Sequence, residues 1–189
     1  EAIAEVSQED SSHTLKMTGK VAEVNIIPNY IKDMENRFDK IGEGVKVVVD
    51  SANATGGVVG PELYKKLGCE VIELFSETDG NFPNHHPNPS VEKTLDTLKE
   101  VVLKEHADVG IAYDGDSDRI GIIDTEGRFL TGDKLLLIYA QDLIEACKDK
   151  NIHPTVVSEV KCSQVLFDTI DKLGGHSVMC KTGHGYIKD

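Results

Sequence analysis

Residues 1–25 are polar and show no hydrophobic period, but from residue 28 onward the apolar positions recur at spacings that name elements. In PNYIKDMENRFDKIGEG, Ile31, Met34 and Phe38 fall near helical spacing and Gly42 and Gly44 close the segment, which predicts a helix over 28–41. VKVVVD (45–50) is a short β-branched run, read as a buried strand. GPELYKKLG (60–68) follows as a helix, with Pro61 suited to its first turn and Gly68 to its stop. EVIELF (70–75) is a second strand and 76–90 a long loop. Ser90 is a candidate cap for a helix over 91–106, where Leu95, Leu98 and Val102 form an apolar stripe. DVGIAYD (108–114) is a third strand, and RIGIID (119–124) turns at TEGR to return as FLT, a hairpin.

The alternation then restarts. GDKLLLIYAQDLIEACKDK is a helix with Thr131 as candidate cap, and TVVSEV (155–160) is a strand. SQVLFDTIDKLGG is a helix stopped by Gly174 and Gly175, HSVMC (176–180) a strand, and KTGHGYIKD the opening of another helix. Strands alternating with helices imply parallel sheets covered by helices. The fold class is α/β: two adjacent three-layer α/β/α units with mostly parallel sheets, the second incomplete. The division is an arm and helix at 1–42, an α/β unit at 43–128 and a partial α/β unit at 129–189.

Charge sharpens this picture. The formal net charge is −13, and residues 45–128 carry most of it, with 16 acidic side chains against 8 basic. Such a balance argues against nonspecific nucleic-acid or anionic-membrane binding. A phosphorylated ligand remains compatible, because a bound cation can mediate the contact. No run of apolar residues is long enough for a transmembrane helix, and EAIAEVSQED lacks a signal-peptide apolar core. It also lacks an initiator Met, so the chain reads as a piece of a longer one. Cys69, Cys147, Cys162 and Cys180 show no CxxC pair and read as buried reduced thiols of a cytoplasmic protein.

The densest charge lies in AYDGDSDRIG (112–121), where Asp114, Asp116 and Asp118 alternate and Arg119 follows. Two such charges about 4 Å apart repel by roughly 4 kcal/mol at an effective dielectric near 20. A divalent cation turns that repulsion into attraction, and hard oxygen ligands favour Mg²⁺, Mn²⁺ or Ca²⁺ over Zn²⁺. Asp114 ends an apolar strand, the place where sheets of this kind bind ligands, and Gly115 permits a tight turn. The Arg119 fork suits a phosphate beside the metal. An EF-hand is excluded, because its sixth and twelfth positions are here Arg119 and Thr125 rather than Gly and Glu. A DxD sugar-nucleotide transferase, a non-enzymatic metal-binding module and a solvated acidic turn stay open on this reading.

DSANATGG (50–57) has the look of a phosphate-binding loop but fits neither G-x-G-x-x-G nor a P-loop, and reads as a tight strand-to-helix turn. His85 and His86, fenced by Pro83, Pro87 and Pro89, read as rigid loop structure rather than metal ligands. Lys161 at a strand end faces a cleft or caps the next element. His184, just before a helix start, is a candidate lining residue for an anion site.

DGDSDR resembles the DGDxDR metal loop of the α-D-phosphohexomutases, and DGNFPNHHPNP (79–89) and VKCSQ…GGHSVMCKTGHGYIKD (160–189) resemble two further stretches of that family. The resemblance runs in order over residues 20–189 and is to the bacterial phosphomannomutase/phosphoglucomutase branch. It implies a four-domain enzyme, of which this chain is the tail of the first domain, the second, and the opening half of the third. The family's T-x-S-H-N-P phosphoserine loop is not matched. DSSHTL (10–15) lacks the following Asn-Pro, so Ser12 is not read as a nucleophile.

By resemblance, Asp114, Asp116 and Asp118 would hold Mg²⁺, Arg119 would neutralise charge on the moving phosphoryl group, and Lys181 would contact the phosphosugar; His184, from its place at a helix start, is assigned to the same substrate-binding set. The implied reaction interconverts hexose 1-phosphate and hexose 6-phosphate (mannose or glucose) through a phosphoserine and the 1,6-bisphosphate. Without the missing domains, the chain is expected to be inactive alone and to bind Mg²⁺ weakly.

Overall fold

The computed structural model describes residues 22–38, 40–150 and 152–188. The arm at 1–21, with Ser12, lies outside the described residues. Helix α1 (Ile27–Phe38) buries Ile31 and ends at Phe38, short of the expected 41, where the chain enters turns.

Three parallel strands form one side of the first unit's sheet: β1 (Lys46–Asp50), β2 (Glu70–Leu74) and β3 (Val109–Tyr113). The hairpin β4 (Ile120–Ile123) and β5 (Phe129–Leu130) continues the sheet antiparallel, giving the order β2-β1-β3-β4-β5. The expected hairpin is therefore present, and the first sheet is mixed. Alternation along β1 divides the core. Val48 packs with Leu95, Leu98, Val102, Ala112 and Ile123 under helix α3 (Asp96–Glu105). Val47 and Val49 face the other way and pack with Ile111 and Ile122, beside Tyr64 of helix α2 (Gly60–Lys66). Leu95, Leu98 and Val102 are each fully buried, and burial of such a side chain contributes about 1.5–3 kcal/mol.

Two helix starts differ from expectation. Before α3 the chain makes a 3₁₀ turn at Glu92–Leu95, whose capping position is Val91, so Ser90 does not cap the helix. The Thr94 hydroxyl instead ties that turn together, donating to the carbonyls of Asn88 and Val91, each at 2.8 Å. Thr131 does stand at the cap of helix α4 (Gly132–Lys148), but its hydroxyl donates to Asp133 Oδ1 at 2.5 Å rather than capping a backbone N–H. Pro61 and Gly68 behave as expected, the first in the opening turn of α2 and the second just past its end at φ +100°.

In the second unit, β6 (Thr155–Glu159) and β7 (His176–Cys180) pair in parallel. Helices α4 and α5 (Gln164–Leu173) cover them, with Ala140, Ile144, Leu166 and Ile170 clustered around Val156 of β6. Ser163 caps α5, accepting from Val165 N at 3.3 Å, and Gly174 ends it in the left-handed region. A short helix α6 (His184–Lys188) closes the described chain. Leu135 of α4 reaches the core of the first unit. The four cysteines are free and half-buried, more exposed than the buried thiols expected. Among the described residues, no helix is long and apolar enough to cross a membrane.

Candidate functional site

The aspartate loop leaves the carboxyl end of β3 and returns as β4. Asp114 stays buried while Asp116 and Asp118 are exposed. Backbone bonds close the loop: Asp114 N–H donates to the Arg119 carbonyl at 3.4 Å, and Ser117 N–H to the Asp114 carbonyl at 3.2 Å. Ser117 adopts φ +61°, a left-handed conformation that costs a non-glycine residue roughly 1–2 kcal/mol. That turn of the backbone lies between Asp116 and Asp118 and brings their carboxylates back toward Asp114. One oxygen from each of the three lies within 4.8 Å of the others.

Arg119 secures the buried member. Its backbone N–H donates to Asp114 Oδ1 at 2.9 Å and its Nε to Oδ2 at 2.8 Å. Burial alone would raise the Asp114 carboxyl, but the backbone and guanidinium bonds from Arg119 outweigh it and hold that group below its ordinary value. Asp118 moves the other way: the charge of Asp116 foremost, then burial and the charge of Asp114, push its carboxyl up. The rise records crowding of like charge, and three hard oxygen donors under mutual repulsion suit a divalent cation such as Mg²⁺.

The segment read from sequence as a mere turn is the floor of this loop. The Thr55 hydroxyl donates to the Gly115 carbonyl at 3.0 Å and lies 3.3 Å from Ser117 Oγ. Ala52 and Asn53 hold positive φ, and Gly56 lies so close that an added Cβ would sit 3.0 Å from both Ser117 Oγ and the Tyr113 ring. The Tyr113 and Tyr64 hydroxyls, 2.6 Å apart, fix the root of the loop to α2.

The HHP segment does more than stiffen a loop. Asp50, fully buried at the end of β1, receives Ala52 N–H at 2.9 Å. His85 Nε2 lies 3.0 and 3.1 Å from its two oxygens. The hydrogen bond to Asp50, opposed by burial, raises the His85 imidazole above its ordinary value. Pro87 and Pro89 are buried, and the Cβ that Gly115 lacks would lie 3.7 Å from Pro87 Cγ. The sequence offered the two histidines as a signal but not their partner, which is 35 residues away.

Lys181 and His184 stand elsewhere. Lys181 follows β7, its Nζ 5.6 Å from the centre of the Tyr186 ring. It lines an open concavity of about 560 Å³ with Val160, Met179, Cys180 and Tyr186. None of the three aspartates lines that concavity. His184 is the first residue of α6 and exposed. Lys161 pairs with Glu159 at 3.2 Å.

Two family models cover most of the chain. "Phosphoglucomutase/phosphomannomutase, alpha/beta/alpha domain II" matches residues 28–127, and domain III of the same series matches 131–189. A phosphomannomutase/phosphoglucomutase of Pseudomonas putida is 42% identical over 170 residues, which cover 90% of this chain and 36% of that protein. A phosphoglucomutase/phosphomannomutase family protein of Burkholderia thailandensis superposes with a TM-score of 0.80 at 32% identity, over 88% of this chain and 35% of that one. An N-acetylphosphoglucosamine mutase of Aspergillus fumigatus, solved with GlcNAc-6P and magnesium, shares the fold at 21% identity. Its TM-score is 0.65, over 84% of this chain and 33% of that one. The chain thus spans little more than a third of the length of these relatives.

Proposed function

The chain belongs to the phosphoglucomutase/phosphomannomutase family, and from that membership we propose that it is the metal-loop portion of a phosphohexomutase. The parent would interconvert hexose 1-phosphate and hexose 6-phosphate through a phosphoserine on another segment and a bisphosphorylated sugar. The observation that carries the reading is the convergence of Asp114, Asp116 and Asp118 within 4.8 Å at the carboxyl end of a sheet.

Those three side chains would hold Mg²⁺, which when bound supplies positive charge to a phosphoryl oxygen. The remaining work falls to residues. Phosphoryl transfer depends on positioning and charge stabilisation rather than covalent chemistry by the protein. Arg119, half-exposed and anchored through Nε to Asp114, would present the outer edge of its guanidinium to the phosphoryl group. Lys181 and His184 would contact the phosphosugar from the second unit. Since the chain aligns with little more than a third of its relatives, it would be inactive by itself.

The test is a coupled assay of glucose 1-phosphate conversion to glucose 6-phosphate. The full-length parent should turn over with Mg²⁺ and lose activity when Asp116 is changed to Asn. The 189-residue chain should show no turnover. A parent that binds a nucleotide sugar, measured by calorimetry, and does not isomerise hexose phosphates would reverse the reading in favour of a sugar-nucleotide transferase.

A further inference from the structure

His85 lies outside the aspartate loop, yet the segment around it runs to that loop without a break. Its two ring nitrogens both face atoms that only accept: Nε2 faces the Asp50 carboxylate and Nδ1 the His86 carbonyl at 3.1 Å. That arrangement calls for a proton on each nitrogen, so a cation faces the buried Asp50. The ring is also held edge-on to Phe75, with centroids 5.5 Å apart.

The flanking residues extend the anchor in both directions. Asn84 Nδ2 donates to Asn53 Oδ1 at 2.7 Å, on the turn that floors the aspartate loop. Pro87 packs at Gly115. Asn88 Oδ1 receives Ser90 N–H at 3.2 Å and faces Arg119 Nη1 at 3.5 Å. Pro89 is pressed so closely on Gly121 of β4 that an added Cβ would meet its Cβ at 2.8 Å. Residues 84–89 therefore bridge the end of β1 to both ends of the aspartate loop, and among the described residues the His85–Asp50 pair is the one ionic anchor in that bridge.

We infer that His85 is a positioning residue for the aspartate loop: paired with Asp50, it holds Pro87 and Asn88 against Gly115 and Arg119, and through Arg119 it orients Asp114. The inference rests on the reading of that loop as a metal site, and its test separates the two. Outer partners of metal ligands typically change affinity by about 10–100-fold when removed.

The experiment uses the ¹⁵N-labelled 189-residue chain with Mn²⁺ as probe, titrated by electron paramagnetic resonance. His85→Ala and Asn88→Ala should each broaden or shift the Arg119 Nε–H resonance, and His85→Ala should weaken Mn²⁺ binding by about 10-fold. His85→Gln, whose amide still donates to Asp50, should recover part of both signals. An unchanged Arg119 resonance and unchanged Mn²⁺ affinity in folded His85→Ala would overturn the inference, even if its melting temperature fell. Should His85→Ala not fold, an undisturbed Arg119 resonance in Asn88→Ala would overturn it equally. A wild-type chain that binds no Mn²⁺ sinks the metal reading, and the Arg119 resonance then decides the positioning role alone.

Discussion

Arg119 grips Asp114 from two directions, by its backbone N–H at 2.9 Å and by its Nε at 2.8 Å, so one residue supplies both donors to a carboxylate that solvent scarcely reaches. Arg119→Lys keeps the backbone donor and the charge but loses the planar fork. The Arg119 side chain is 55% exposed, so screening reduces its contribution to stability. We expect a loss of about 1 kcal/mol in urea denaturation. In the full-length parent, turnover should fall much further than stability, because the lysine cannot hold Asp114 and face a phosphate together. Equal turnover for the two proteins would remove Arg119 from the proposed chemistry.

Asp118 gives a prediction of opposite sign for the free and metal-loaded states. The charge of Asp116 pushes its carboxyl up, which means that ionised Asp118 is an unfavourable neighbour without a cation. Asp118→Asn should therefore leave the melting temperature in EDTA unchanged or higher. The wild-type chain should gain about 2.7 kcal/mol at Mn²⁺ a hundredfold above its dissociation constant, and the variant should gain far less at the same concentration. Scanning calorimetry with and without Mn²⁺ checks both halves. A variant destabilised in EDTA would contradict the crowding argument.

The His85–Asp50 pair should leave a mark on the pH dependence of stability. The folded imidazole titrates above its ordinary value of 6.5, chiefly through the hydrogen bond to Asp50, against the opposing effect of burial. The groups facing the ring are the Asp50 carboxylate, the His86 carbonyl and the Phe75 ring. A raised folded value means the stabilisation is fully present below about 6.5 and is lost as pH climbs through the folded value. The stability gap between wild type and His85→Gln, from urea titrations, should thus be widest at pH 6 and narrow on the alkaline side. A gap that widens with rising pH would mean the ring is held neutral.

What could be read from the sequence was local. Asp114, Asp116 and Asp118 fall within five residues, so spacing alone brought their charges together, and the β-branched run at 47–49 declared its strand. The partners that support the loop come from separate crossovers. Asp50 and His85 are 35 residues apart, Tyr64 and Tyr113 49, and Thr55 and Gly115 60. No periodicity links such pairs, because the sheet's parallel connections bring them together only after β1 and β3 are paired. Ser90 shows the same limit on a smaller scale. It satisfied the composition rule for a cap, but the Thr94 hydroxyl bonds to Asn88 and Val91 define a 3₁₀ turn there instead. Thr131 satisfied the same rule and stands at the cap, yet Asp133 takes its hydroxyl.

Gly57 tests whether the 50–57 turn is structural support rather than a free phosphate loop. A Cβ on this residue would lie 2.1 Å from the Ser76 carbonyl oxygen and 2.8 Å from its carbonyl carbon. These are backbone atoms held in place, since Phe75 beside them receives Asn53 N–H at 2.8 Å. The clash cannot be relieved by a rotamer change, so the two segments must move apart. Overpacking of this kind typically costs about 1–3 kcal/mol, and backbone involvement puts Gly57→Ala at the upper end. Because Thr55 and Gly56 touch Gly115, Ser117 and Tyr113, the displacement should carry into the aspartate loop and weaken Mn²⁺ binding as well. Gly80, whose Cβ would meet nothing within 4 Å, is the control: Gly80→Ala should change neither quantity. If Gly57→Ala melted like wild type and bound Mn²⁺ as tightly, the turn would not support the loop in the way its contacts imply.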